Sequence, residues 1–289
     1  MRYKGAMKIP KRIQPLVDNG LVDAVIRRLM SGKEADVYIV RCGNEIRCAK
    51  VYKEAAKRSF KQAVHYQEGR KVRDTRLARA LSKGSKFGRK QQEETWQNAE
   101  VDALYRLADA GVRVPLPYCC LDGVLLMELI TDETGAAAPR LCDVSMSAQQ
   151  ALEDHAVVMR YVVRMLCAGL VHGDLSEFNV LVDEYGPVII DLPQAVDAAA
   201  NNHAQSMLER DVNNMTNYYG TYAPELFGRR FAQEIWALHA DGELHADTEL
   251  TGDYEESTQA ADVDAVLEDI KAVLAEEQER QKRLREAAE

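Results

Sequence analysis

The stretch His172-Gly173-Asp174-Leu175-Ser176-Glu177-Phe178-Asn179 places an Asp five residues before an Asn, between the apolar pairs Leu170-Val171 and Val180-Leu181. Downstream, the apolar run Val188-Ile189-Ile190 ends in a second carboxylate, Asp191. These residue types suit the transfer of a phosphoryl group. Such a transfer needs alignment and charge neutralisation more than covalent help, and magnesium binds a few hard oxygens while keeping its waters. On this reading Asp174 orients or deprotonates the attacking hydroxyl, and Asn179 and Asp191 ligate the metal. His172 braces the loop through hydrogen bonds rather than acting as a base.

Two further landmarks precede the loop. Ser31-Gly32-Lys33-Glu34-Ala35-Asp36-Val37-Tyr38 is a small-residue turn opening a strand, a place where backbone N–H groups can meet phosphates. It is not a Walker loop, because Glu follows Gly-Lys and the earlier Gly is absent. Lys50, in Ala49-Lys50-Val51, lies on the next β-rich run and can hold the α/β-phosphates if a helix Glu steers it. Glu100 is the preferred partner, with Glu93 and Glu94 as alternatives near the start of the same helix.

The elements that must position these groups follow from periodicity. Residues 9–29 space Ile13, Leu16, Val17, Leu21, Val22, Val25, Ile26 and Leu29 like one or two short helices broken at Asn19-Gly20. Runs 35–40 and 46–52 read as a hairpin around Gly43-Asn44. A helix is expected from Glu93 to Ala110, stopped by Gly111. Strands follow near Pro117–Leu121 and Val124–Glu128, then a helix from Ala148 to Ala168 leading into the loop. Helices near 205–219 and 229–240 complete the half after Asp191. Residues 241–258 read as an acidic linker and 260–284 as a final helix. The order gives an α+β class: a trimmed, two-lobed, protein-kinase-like fold with a β-rich N-lobe and a mainly helical C-lobe. The expected parts are a helical extension (1–30), an N-lobe (31–130), a C-lobe (131–240), and a linker with helix (241–289).

The chain has 289 residues, 46% hydrophobic, and a formal net charge of -9. An acidic whole argues against a general nucleic-acid binder. Arg70–Lys90 runs against that balance, with nine Lys or Arg and one acid, Asp74. It is expected as an exposed basic loop (70–92), and clustered cations there could meet RNA phosphates. The six cysteines show no C-x-x-C pair or zinc-like spacing, consistent with reduced thiols in a cytoplasmic protein. No apolar run reaches the ~20 residues needed to span a bilayer, and no signal-peptide pattern opens the chain.

Over roughly residues 25–220 the sequence resembles the RIO family of atypical serine protein kinases, in a short form without a winged helix. The resemblance rests on 31–38, on Ala49-Lys50-Val51-Tyr52-Lys53, and on Trp96 with Glu100. It continues in Leu126-Met127-Glu128-Leu129-Ile130, 170–179, Ile189-Ile190-Asp191-Leu192-Pro193-Gln194 and Leu208-Glu209-Arg210-Asp211-Val212-Asn213-Asn214. It implies ATP and Mg2+ as cofactors, serine autophosphorylation, ATPase activity, and an Asp191 able to carry a transient phosphate. It further implies Asp174 as catalytic acid/base, Asn179 and Asp191 as metal ligands, and Lys50 as the phosphate-binding lysine. Ser31, Gly32, Lys33 and Val37 would cover the nucleotide, Glu100 would steer Lys50, and Met127, Glu128 and Ile130 would form the hinge beside adenine. Ser82 and Ser85 become candidate autophosphorylation sites. The implied partners are ATP, a protein substrate and the chain itself.

Two other classes remain open at this level. One is a small-molecule kinase of the aminoglycoside or choline type, which also uses His-Gly-Asp and a downstream Asn. The other is an RNA- or ribosome-associated factor that uses ATP binding as a switch, contacting ribosomal RNA or a ribosome precursor through 70–90. Ala223-Pro224-Glu225 matches the end of an ordinary kinase activation loop, but it follows a helical pattern and reads as coincidence. Gly173 stands where most protein kinases carry Arg, consistent with the absence of a phosphorylated loop for that Arg to read.

Overall fold

A computed structural model describes residues 7–53 and 99–255. Helix α1 (Gln14–Asp18) precedes strands β1 (Ala24–Ser31), β2 (Ala35–Cys42) and β3 (Glu45–Tyr52). Helix α2 occupies 99–109. Strands β4 (Pro117–Leu121) and β5 (Val124–Glu128) close an antiparallel sheet of order β1-β2-β3-β5-β4. Its two tight turns follow from their residues. Gly43 takes φ 62, and Asp122-Gly123 takes φ 48 and 77, the doubly positive pair that a two-residue hairpin favours.

The second half comprises α3 (Ala148–Cys167), β6 (Leu170–Val171), β7 (Val180–Asp183), β8 (Gly186–Ile189), β9 (Val196–Asp197), α4 (Ala204–Gly220) and α5 (Phe231–Ala240). Strands β7 and β8 form a hairpin, and β6 pairs with β9. Ser147 caps α3 by accepting the Gln150 N–H at 3.1 Å, and Gly169 at φ 74 ends it.

The sheet buries both faces, and period-two alternation decides which residue goes where. Val124 and Leu126 face outward onto Ile13, Leu16, Val22 and Val25. Leu125, between them, faces the main core with Leu104 and Leu107 of α2 and Val158, Val162 and Leu166 of α3.

Two expectations change. The helical reading of 9–29 holds over Gln14–Asp18, but Ala24–Ser31 is an edge strand. Register shifts between Val25 and Arg27 and between Arg28 and Met30 break its alternation, leaving apolar spacings that imitate a helix. Residues 241–253 are not a free linker. Leu244 and Leu250 pack on the core, and the Glu234 carboxylate accepts the N–H groups of Thr251 and Gly252. Ala223-Pro224-Glu225 falls at a short 3-10 turn (Pro224–Leu226) soon after the end of α4 at Gly220. The calls on 70–92, on Ser82 and Ser85, on Glu93, Glu94 and Trp96, and on the 260–284 helix lie outside the described residues.

Leu166 is 1% exposed in the seam between α3 and the rest of the core. Leu166→Ala should cost about 2–5 kcal/mol. Urea unfolding with an unchanged m-value checks this.

Candidate functional site

Lys50 is the point where the two halves meet. It sits on β3 opposite Val37 of β2 and is 7% exposed. Its Nζ donates to Glu100 Oε1 and to Asp191 Oδ1, both at 2.7 Å. Burial alone would lower the Lys50 pKa, but Asp191 and Glu100 outweigh it and hold the amine well above its ordinary value. In return Lys50 holds the Asp191 carboxyl below the usual range, against the opposing effect of burial. Glu100, 2% exposed on α2, also accepts the Tyr52 hydroxyl, whose pKa burial and then Glu100 push up.

Asp191 has φ 67, a left-handed value for a residue with a side chain. That conformation costs on the order of 1–2 kcal/mol, though Asp bears it better than most. It ends the β8 run and leaves the carboxylate 44% exposed while still paired with Lys50. A strained carboxylate held toward solvent is where a ligand is to be sought.

The loop 172–179 is built by backbone pinning. His172 Nε2 donates to Ile190 O at 3.1 Å, and its Nδ1 accepts the Asp174 N–H at 3.3 Å, so the ring braces the loop. Ile190 N donates to Asn179 O, tying the loop to the residue before Asp191. Asn179 Nδ2 donates to Asp174 O at 2.8 Å, which leaves its amide oxygen for a metal. Asp174 itself is exposed, and partial burial nonetheless raises its pKa against the lowering effects of His172 and Arg210.

One supporting residue escaped the sequence argument. Asp211 of α4, 2% exposed, accepts the N–H of Gly173 at 2.7 Å and of Leu175 at 3.0 Å. Arg210 donates to Gly173 O, and Asn214 Nδ2 donates to Leu175 O at 3.1 Å. Gly173 takes φ 81 between these clamps, a value that favours glycine. The Arg-Asp pair lay within a stretch quoted for the resemblance. Nothing in local spacing said that it reaches back about forty residues to the loop.

The remaining candidates are placed as follows. Ser31 Oγ donates to Asp36 Oδ1 at 2.5 Å, and Lys53 Nζ donates to Gly32 O at 2.5 Å. The Gly32 N–H, a natural phosphate donor, is taken by Ala35 O at 2.9 Å within its own turn. Lys33 is exposed. Val37 is buried beside Lys50 in the β2–β3 register. Met127 and Glu128 end β5, and the Glu128 N–H donates to Leu116 O. Ile130 is buried against Ala138 and Val188, and its carbonyl accepts the Ala138 N–H. The structure thus brings Lys50, Glu100, Asp191, Asp174 and Asn179 to one cleft edge.

Fold and site together define the protein-kinase class: a five-stranded antiparallel lobe with a steered lysine, above a helical lobe with a pinned Asp-to-Asn loop. A RIO-domain family model matches residues 36–230. The chain is 36% identical over 208 residues to the RIO-type serine/threonine-protein kinase Rio1 of Haloferax volcanii, covering 72% of this chain and 67% of that protein. It is 32% identical over 206 residues to human serine/threonine-protein kinase RIO1, covering 71% of this chain but 34% of the human one. Among solved structures, the Rio2 kinase of Chaetomium thermophilum matches with a TM-score of 0.56 at 19% identity, covering 95% of this chain and 83% of that one. The ADP/Mg2+-phosphoaspartate complex of Rio2 from the same organism matches with a TM-score of 0.52 at 20% identity, covering 82% and 76%. The chain belongs to the RIO family of atypical serine/threonine protein kinases.

Asp211 yields a test. Burial lifts its folded-state pKa to about 6, against roughly 3.9 when unfolded. An acid raised on folding gives up stability as pH climbs through that interval. Asp211→Asn should therefore flatten the stability profile between about pH 4 and 6. It should also cost about 1–3 kcal/mol, because one loop N–H loses its acceptor. Chemical denaturation across pH measures both.

Proposed function

We propose that the chain transfers the γ-phosphoryl group of ATP, with Mg2+, to serine or threonine hydroxyls of a protein and of itself, and can also hydrolyse ATP. The observation that carries this reading is Lys50 bridging Glu100 and Asp191 across the cleft, with Asp174 and Asn179 on the facing loop.

The donor set fits magnesium. Among the described residues no group of three or more His, Cys, Asp or Glu side chains forms a metal cage. Magnesium does not need one, since it takes one or two protein oxygens and completes its shell with phosphate and water. Asn179 Oδ1 and the exposed Asp191 carboxylate supply hard oxygens, and the bound ion would neutralise phosphate charge. Lys50 would exchange its Asp191 contact for phosphate oxygens while Glu100 keeps it aimed. Asp174, with its raised pKa, would accept the proton of the incoming hydroxyl. Met127, Glu128 and Ile130 would border the adenine, and Ser31, Gly32, Lys33 and Val37 the phosphate side.

A second route uses the same groups. An Asp191 carboxylate oxygen attacks the γ-phosphorus, ADP leaves, and water then cleaves the acyl phosphate. The phosphoaspartate in the Rio2 complex supports this branch. Family membership speaks against the aminoglycoside- or choline-type alternative. Contact with ribosomal RNA through 70–90 rests on charge alone. No helix among the described residues is long and apolar enough to cross a membrane. A cytoplasmic setting remains part of the proposal.

Incubation with γ-labelled ATP and Mg2+ followed by phosphosite mapping tests the reading. Label on serine that resists hydroxylamine supports kinase action. Hydroxylamine-labile label on Asp191 supports the ATPase cycle. No label and no phosphate release would refute both. Asp174→Ala should lower serine transfer by at least ~100-fold, the scale of general-base catalysis, while ADP affinity changes little. Asp191→Ala should remove the Mg2+ dependence of nucleotide binding, read by calorimetry with and without the metal.

A further inference from the structure

Behind the loop lies an open groove of about 590 Å3. One wall is the segment from Val144 to Ser147 and the first turns of α3. The other is the β7–β8 hairpin from Val182 to Pro187. Val144, Met146, Val157 and Val182 give it apolar surface. Tyr185, 78% exposed, stands at the hairpin tip with the Arg113 guanidinium 5.3 Å from its ring centre. Exposed tyrosines beside apolar grooves are frequent anchors of protein contacts.

The charges around the groove are one-sided. Asp183 is satisfied by a two-pronged pair with Arg113. Glu153, Asp154 and Glu184 are not paired with any Lys or Arg among the described residues. Glu153 and Glu184 are exposed and fit an ordinary solvated rim. Asp154 does not. It is 4% exposed, lines the groove, and has one side-chain partner, the Gln150 amide at 2.9 Å. Burial raises its pKa, as expected of a carboxylate held without a cation. A bare divalent cation would leave the apolar surface of Val144, Met146, Val157 and Val182 without a partner. A ligand offering a cationic tip and an apolar body matches both halves of the groove.

We propose that this groove docks an extended segment of a protein substrate that carries Lys or Arg next to apolar residues, with one cation reaching Asp154 between Glu153 and Glu184. The proposal rests on the protein-kinase reading and adds how a substrate is held. The geometry suits that task. β7 starts at the residue after Asn179, and β8 ends two residues before Asp191. A segment seated on the hairpin is therefore tethered close to the reacting groups without occupying their cleft.

The test uses the full chain without nucleotide and a fluorescein-labelled peptide with paired arginines and paired leucines on a Gly/Ser background. Binding should be saturable and weaken with salt. It should fall about tenfold or more in Asp154→Asn and in the exposed double variant Glu153→Lys/Glu184→Lys. The double variant keeps the test valid if Asp154→Asn disturbs folding. With a serine added to the peptide, the double variant should raise KM and leave kcat unchanged. Equal affinity for wild type and double variant would overturn the proposal. So would equal binding of a peptide with the leucines changed to serine, or no binding. Autophosphorylation retained when the peptide fails to bind separates failure of docking from failure of the kinase reading.

Discussion

One buried cation organises this molecule. Lys50 is nearly enclosed, yet it stays charged because two carboxylates from different elements meet it at 2.7 Å. Removing a charge from water costs several kcal/mol unless its geometry and hydrogen bonds are well met. The fold meets that condition by bringing β3, α2 and the turn after β8 to one point. Two carboxylates against one amine leave the cleft locally negative. Added positive charge would complete such a site, and a bound magnesium ion would supply it beside the negative phosphates. The ion pair thus holds the lobes together and marks where the ligand must exchange contacts.

The loop below is held by a different method. His172, Arg210, Asp211 and Asn214 all grip its backbone rather than its reactive side chains. Fixing the main chain leaves Asp174 exposed and Asn179 with a free amide oxygen. Gly173 then has a reason in the backbone itself. Its N–H and carbonyl are clamped from α4 while φ stands at 81, where a side chain would add strain. Arg at this position would cost stability.

Much of this could be read from the sequence because the informative features are local. Asp122-Gly123 announces its hairpin, Ser147 and Gly169 bracket α3, and the spacing from Asp174 to Asn179 to Asp191 is short enough to carry chemistry by itself. What was hidden depends on distance in space. β1 was read as helix because its bulges break the alternation that marks a strand. Asp211 gives no local sign that it closes the Gly173–Leu175 turn. Tyr52 lay in a quoted motif, but its hydroxyl bond to Glu100 needs the α2 helix packed over β3. The groove beside β7–β8 joins parts of the chain about forty residues apart, and neither part is unusual alone.

The central claim is that Lys50 is kept charged in order to meet phosphate. Calorimetric titration of Mg2+-ATP into wild type and Lys50→Met tests it most directly, because Met keeps the length and apolar stem without the charge. The account predicts that Lys50→Met stays folded and loses at least about tenfold in affinity, roughly 1.4 kcal/mol. Unchanged affinity in a folded Lys50→Met protein would contradict it.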